Sequence, residues 1–115
     1  MLARANRVIR ADDFRRAVRR GRRSATPRAV YYRYPTADDE PLRFGFIVSR
    51  TVGGSVQRNR VRRRMRAIGR EFVEAGVRGH DVVIRALPGV DAVAFGELRD
   101  DAHQALDRGL GVTRS

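Results

Sequence analysis

Gln57-Arg58-Asn59-Arg60-Val61-Arg62-Arg63-Arg64-Met65-Arg66-Ala67-Ile68-Gly69-Arg70-Glu71-Phe72-Val73-Glu74-Ala75 carries two patterns at once. At 100° per residue, Val61, Met65, Ile68, Phe72 and Ala75 fall within a stripe of about 80°, whereas Asn59, Arg63, Arg66 and Arg70 lie opposite it with Arg62 beside them. The spacing therefore predicts a helix over 57–75 with one face in a core and the other covered in guanidinium groups. Six of the nine residues from Arg58 to Arg66 are Arg, and none is acidic. Like charges at i,i+4, as in Arg58/Arg62 and Arg62/Arg66, each cost a few tenths of a kcal/mol, roughly 0.2–0.5, in an isolated helix. A merely solvated face mixes signs, so this stacking points to a face that binds phosphate and gains by counterion release. Arg60 and Arg64 lie nearer the edge of the apolar stripe, where their stems can cover the core margin.

The flanks supply the rest of a small domain. Upstream, Thr51–Ser55 with Gly53 and Gly54 is a loop that bends into the helix. Before it, 43–49 alternates Phe44, Phe46 and Val48 with Arg43, Gly45, Ile47 and Ser49, and 29–34 is aromatic and β-branched between Pro27 and Pro35. Both read as strands. The polar link at 36–41 predicts that they pair antiparallel as a hairpin. Residues 12–20 have acids in the first turn, Arg in the last and Gly21 beyond, the dipole pattern of a short helix whose apolar stripe is Phe14, Ala17 and Val18. Downstream, Gly76 and Gly79 stop the Arg helix, 81–87 is a near-continuous apolar strand ended by Pro88-Gly89, and 93–108 is a helix with Phe95, Leu98, Ala102, Ala105 and Leu106 on one stripe. The expectation is a single α/β (α+β, two-layer) domain over 1–115, with helices packed on a small central sheet.

Composition narrows the function. The chain has 115 residues, 25 basic against 13 acidic, a net charge of +12 and a sequence pI near 11.7. Every basic residue is Arg. Residues 1–35 and 43–70 hold the whole excess, interleaved with Phe, Tyr, Val and Ile, so the charge belongs to folded elements rather than a tail. A polyanion is the expected partner. The absence of Cys excludes thiol catalysis, disulfides and Cys-ligated metals and suits a reducing cytoplasm. No apolar run approaches the roughly 18 residues of a membrane span, and MLARANRVIR lacks the apolar segment of a signal peptide, so a cytoplasmic, unexported protein is expected. Catalytic patterns are missing. His80 and His103 are isolated, there is no Gly-x-Ser-x-Gly or phosphate-loop signature, and adjacent pairs such as Asp12-Asp13 and Asp100-Asp101 point about 100° apart on a helix. The three tyrosines, Tyr31, Tyr32 and Tyr34, share one strand, with Tyr32 and Tyr34 on the face opposite Tyr31. Rings beside Arg suit the stacking of unpaired bases, and rings under a helix suit a core; Phe14 has the same two readings.

Val48-Ser49-Arg50-Thr51-Val52-Gly53-Gly54-Ser55-Val56-Gln57-Arg58-Asn59-Arg60-Val61-Arg62-Arg63-Arg64-Met65-Arg66-Ala67 resembles the stretch V-S-K-K-V-G-N-A-V-x-R-N-R-(I/V)-K-R-x-x-R-E shared by the protein component of bacterial ribonuclease P. Asn6-Arg7-Val8, then Asp13-Phe14 with Gly21 seven residues on, and Asp81-Val82-Val83-Ile84-Arg85-Ala86 are similar to the family's flanks. The resemblance implies an α-β-β-β-α-β-α order, with one short strand more than periodicity finds, and an unusual left-handed crossover that departs from the common rule. It implies a non-catalytic subunit that assists endonucleolytic removal of the 5′ leader from precursor tRNA, the chemistry belonging to a catalytic RNA and its Mg²⁺, with no protein metal site. Its implied partners are that RNA and precursor tRNA, with no membrane and no obligate protein partner. The implied contacts with the catalytic RNA are Ser49, Arg50, Arg58, Asn59, Arg60, Arg62, Arg63 and Arg66. Those with the leader are Phe14, Val18 and Tyr32. Val18 replaces a frequent aromatic, Thr51 and Ala67 a Lys and a Glu, and Gly54 an Asn. The competing readings are a small DNA-binding regulator and a ribosomal-type structural protein; against the first, glycines join a strand, not a positioning helix, to the Arg helix.

Overall fold

The computed structural model describes residues 2–112. Its elements run α1 (Ala11–Arg20), β1 (Arg22–Ala25), β2 (Ala29–Pro35), β3 (Arg43–Ile47), α2 (Ser55–Glu74), β4 (His80–Ala86) and α3 (Phe95–Leu110), with short 3-10 turns at Arg4–Asn6 and Val90–Ala92. The order matches the expected helix-strand-strand-strand-helix-strand-helix sequence. The four strands form one mixed sheet in the order β1-β2-β4-β3.

The pairing differs from the hairpin expected between 29–34 and 43–49. β2 instead forms its hairpin with β1, Arg22 opposite Arg33 and Ala25 opposite Val30, and its other edge pairs antiparallel with β4. β3 lies parallel to β4, Phe44 opposite Val82 and Phe46 opposite Ile84. The physical reason is burial. Val82, Val83 and Ile84 are all at most 2% exposed, so β4 carries apolar side chains on both faces and belongs in the sheet interior. The more amphipathic β3 takes the edge. The β1–β2 turn is held by Thr26, whose Oγ1 accepts the N–H groups of Arg28 and Ala29, each at 3.1 Å, and donates to Asp101 at 2.9 Å.

Most of the core lies on the face covered by α2 and α3. Val61, Met65, Ile68 and Phe72 of α2 meet Leu98, Ala102 and Leu106 of α3 over Tyr31, Phe44, Val82 and Ile84. Burying each of the four α2 side chains, none more than 1% exposed, contributes about 1.5–3 kcal/mol. Two residues placed on apolar stripes from periodicity fall outside this core. Ala75 is the exposed residue that caps α2, and Phe95 opens α3 at 37% exposure, because both stand at helix ends beyond the packed turns. The short α1 adds cover to the other face, setting Ala17 on Val30, Tyr32 and Val83 with Phe14 and Val18 at the margin.

Candidate nucleic-acid interface

Behind β3 the chain turns through Val52 N–H to Ser49 O (3.1 Å) and Gly53 N–H to Arg50 O (3.2 Å), with the hydroxyls of Ser49 and Thr51 2.7 Å apart. This tight turn puts Ser49 and Arg50 on the surface at the start of α2. Asn59 and Arg63 are exposed, and Arg58, Arg60, Arg62 and Arg66 are half-buried. Local bonds orient the stems. Arg58 reaches Ser55 Oγ at 3.5 Å, and Arg62 donates to Asn59 Oδ1 at 3.3 Å and to the Val48 carbonyl at 3.4 Å. Arg64 donates to the Val93 carbonyl at 2.9 Å, so it crosses to the loop before α3, as its place at the stripe edge suggests.

Among the described residues, no carboxylate pairs with Arg50, Arg58, Arg60, Arg62, Arg63, Arg64 or Arg66. The acids are engaged elsewhere. Glu74 pairs with Arg70 at 3.1 Å, which takes the last arginine of the outer face out of the free set. Glu71 binds Arg99 at 2.7 Å; burial alone would push its carboxyl up, but the hydrogen bonds from Arg99 and His103 hold it below the usual glutamate value. His103 sits between Glu71 and Asp107 and stacks on Phe72 at 4.5 Å, a structural position linking α2 to α3.

Two hollows meet on this side. One, of about 620 Å³, is lined by Asn59, Arg62, Arg63, Arg66 and Ala67. The other, of about 160 Å³, lies at the β3 edge of the sheet and is lined by Phe14, Phe44, Gly45 and Phe46 as well as Arg62 and Arg66. Arg62 and Arg66 thus border both, and the arginine face runs into an aromatic cleft. Gly45 shapes that cleft, because a Cβ there would overlap the Phe14 ring; its signal in the sequence was a glycine inside a strand. Arg7, also on the cleft wall, is marked in the sequence only by the family-like Asn6-Arg7-Val8.

Phe14 lines the small hollow together with the arginines, while Val18 and Tyr32, the other two residues expected to meet the leader, share its apolar cluster under α1. Tyr32 is 6% exposed beneath α1, with the Arg85 guanidinium 6.0 Å from its ring, and Val18 packs in the same cluster; neither lines the hollow. An ion-pair network fixes α1 above this region. Asp81, fully buried, accepts Arg43 Nε at 2.8 Å and Nη2 at 2.6 Å, and Arg16 of α1 lies 3.4 Å away. Arg43 also approaches Asp13 of α1 at 3.5 Å, and Arg16 sits over the Tyr34 ring at 4.9 Å. The hydrogen bond to Asp81 raises the Arg43 guanidinium above its ordinary value. Among the described residues, no group of three or more His, Cys, Asp or Glu is placed to hold a metal, and no helix is long and apolar enough to cross a membrane.

The Ribonuclease P family model matches residues 2–109. The chain is 44% identical over 110 residues to the "Ribonuclease P protein component" of Clavibacter michiganensis subsp. michiganensis, covering 96% of this chain and 97% of that protein. It is 43% identical over 119 residues to the protein of the same description from Streptomyces avermitilis, with the same two coverages. Its fold is similar to that of the Staphylococcus aureus RNase P protein, with a TM-score of 0.81 at 21% identity over 92% of this chain and 96% of that one. The Thermotoga maritima RNase P protein aligns with a TM-score of 0.77 at 24% identity, over 89% and 96% of the two chains. An arginine helix running into an aromatic cleft, on this sheet and with relatives this close, means that the chain belongs to the ribonuclease P protein family.

Proposed function

We propose that this ribonuclease P protein subunit binds the catalytic RNA through Ser49, Arg50, Arg58, Asn59, Arg60, Arg62, Arg63 and Arg66, and holds the single-stranded 5′ leader of precursor tRNA against Phe14. Val18 on α1 and Tyr32 beneath it share the Phe14 cluster and complete the leader-binding surface. The RNA and its Mg²⁺ supply hydrolysis of the phosphodiester. The protein supplies positive charge at fixed positions, so that the anionic substrate approaches a crowded polyanion with less repulsion.

The observation that carries this reading is the sharing of Arg62 and Arg66 between the two hollows. Catalytic RNA on the arginine face and the leader in the cleft then lie side by side, with phosphates on guanidinium forks and a leader base on the Phe14 ring. Among the described residues these arginines have no carboxylates to give up, so phosphate contact breaks no ion pair there. The alternative of a DNA-reading helix has less support, since α2 follows an edge strand rather than a positioning helix.

The test is the salt dependence of binding to the cognate catalytic RNA. About six phosphate contacts on this face predict a slope of log K against log[salt] near −5, and Arg66→Ala reduces its magnitude by about one. An unchanged slope in Arg66→Ala would return this arginine to simple solvation.

A further inference from the structure

A second basic hollow, of about 560 Å³, lies at the opposite edge of the sheet, between β1 and the C-terminal half of α3, lined by Arg22, Arg23, Arg33, Gln104, Arg108 and Gly109. We infer that this hollow is a second phosphate-binding surface, which grips the backbone of an RNA segment other than the one lying on α2.

Four features support the assignment. First, Arg22 and Arg33 are directly opposite in the β1–β2 register, so their side chains share one face of the sheet; like charges in that position repel and are unfavourable in the free protein. Second, among the described residues none of Arg22, Arg23, Arg33 and Arg108 is paired with a carboxylate. Two acids of α3 are engaged elsewhere: Asp101 accepts Thr26 and the Tyr31 hydroxyl, and Asp107 contacts His103. Third, the half-buried Arg33 lays its guanidinium against Gly109, where a Cβ would overlap it. A planar fork held against a bare helix backbone, flanked by flexible Arg22 and Arg108 at the rim, fits a phosphate rather than a base or a small apolar ligand. Fourth, β1 and β3 are the two edges of the sheet, so this hollow and the aromatic cleft are separated by three inter-strand spacings, about 14 Å. The two surfaces therefore face separate stretches of polyanion.

The identity of the polyanion as RNA rests on the proposed function; the existence of the surface does not. The phosphates come either from the catalytic RNA or from the precursor tRNA, and two binding arms separate these sources. In one, the protein is titrated with the catalytic RNA alone; in the other, precursor tRNA is titrated with the assembled ribonucleoprotein. The variant is Arg22→Ala/Arg108→Ala, which alters two exposed rim residues and leaves Arg33 and α2 untouched. The expected result is a salt slope smaller by about two in one arm, with an unchanged melting temperature and with Arg22→Lys/Arg108→Lys restoring the slope. The arm that responds names the source. An unchanged slope in both arms overturns the inference. So does a lowered melting temperature with an unchanged slope, which would assign these arginines to the negative end of the α3 dipole. Wild-type protein that bound neither RNA would overturn the proposed function as well, whereas wild-type binding with an indifferent double variant removes only this second surface.

Discussion

Replacing Asp81 by Asn tests whether the buried ion network positions α1. Asp81 is fully buried and receives two hydrogen bonds from Arg43 and a longer one from Arg16, so Asp81→Asn leaves two guanidinium groups facing a neutral amide. Breaking a fully buried pair in this way costs about 3–5 kcal/mol. Here the Arg43 side chain is 25% exposed and that of Arg16 is 39% exposed, so water compensates part of the loss and Arg16 contributes little. The expected cost is about 2 kcal/mol. For a domain of this size an unfolding entropy of roughly 2.1 cal/mol/K per residue converts 1 kcal/mol into about 4 °C, so Tm falls by about 8 °C at neutral pH. Thermal unfolding followed by far-UV circular dichroism measures it. A double-mutant cycle with Arg43→Met isolates the pair, and a coupling of about 1.5 kcal/mol is expected. A Tm loss below about 2 °C, or strictly additive single variants, would refute the idea that this network holds α1 in place.

Two further outcomes follow from the same geometry. Phe14 is half-buried over Gly45, so Phe14→Ala costs about 1–2 kcal/mol of stability, less than the roughly 3–5 of a fully buried ring, and the variant stays folded at 25 °C. Its affinity for precursor tRNA falls about 5- to 100-fold while affinity for tRNA without a leader is unchanged; equal losses on both RNAs would place Phe14 in the core alone. Tyr31 is held protonated, first by burial and then by its hydrogen bond to Asp101, which raises the phenol well above its ordinary value of 10.0. A raised value means that this contribution to stability is complete below about pH 10 and is lost as pH climbs above it. The difference in phenolate absorbance between the wild type and Tyr31→Phe should stay flat through the ordinary tyrosine range and rise only with unfolding, and an ordinary titration step for Tyr31 would contradict its burial.

The most legible part of the sequence was the Arg helix, because twenty residues of one period leave little freedom: its core stripe of Val61, Met65, Ile68 and Phe72 is buried as spaced. β1 is silent to periodicity because Arg22, Arg23 and Ala25 are exposed and put no alternating apolar signal into the chain; the family resemblance implies one more short strand without placing it. The hairpin expected between β2 and β3 does not form because β4, whose continuous apolar run Val82-Val83-Ile84 has the signature of an interior strand, inserts between these sequence neighbours. The charged face was visible in composition, but its union with the cleft was not. That depends on Gly45 admitting the Phe14 ring and on which arginines the fold ties up across elements, as with Arg64 and Arg43, and both are settled by tertiary contacts between distant residues.

The most direct measurement is 5′ processing of a precursor tRNA by the cognate catalytic RNA at low Mg²⁺, with and without this protein. If the protein neutralises phosphates and holds the leader, adding it should raise kcat/KM for the leader-bearing substrate, and the gain should shrink in Arg66→Ala and Phe14→Ala. Equal rates with and without the protein, or cleavage by the protein in the absence of the RNA, would contradict the account.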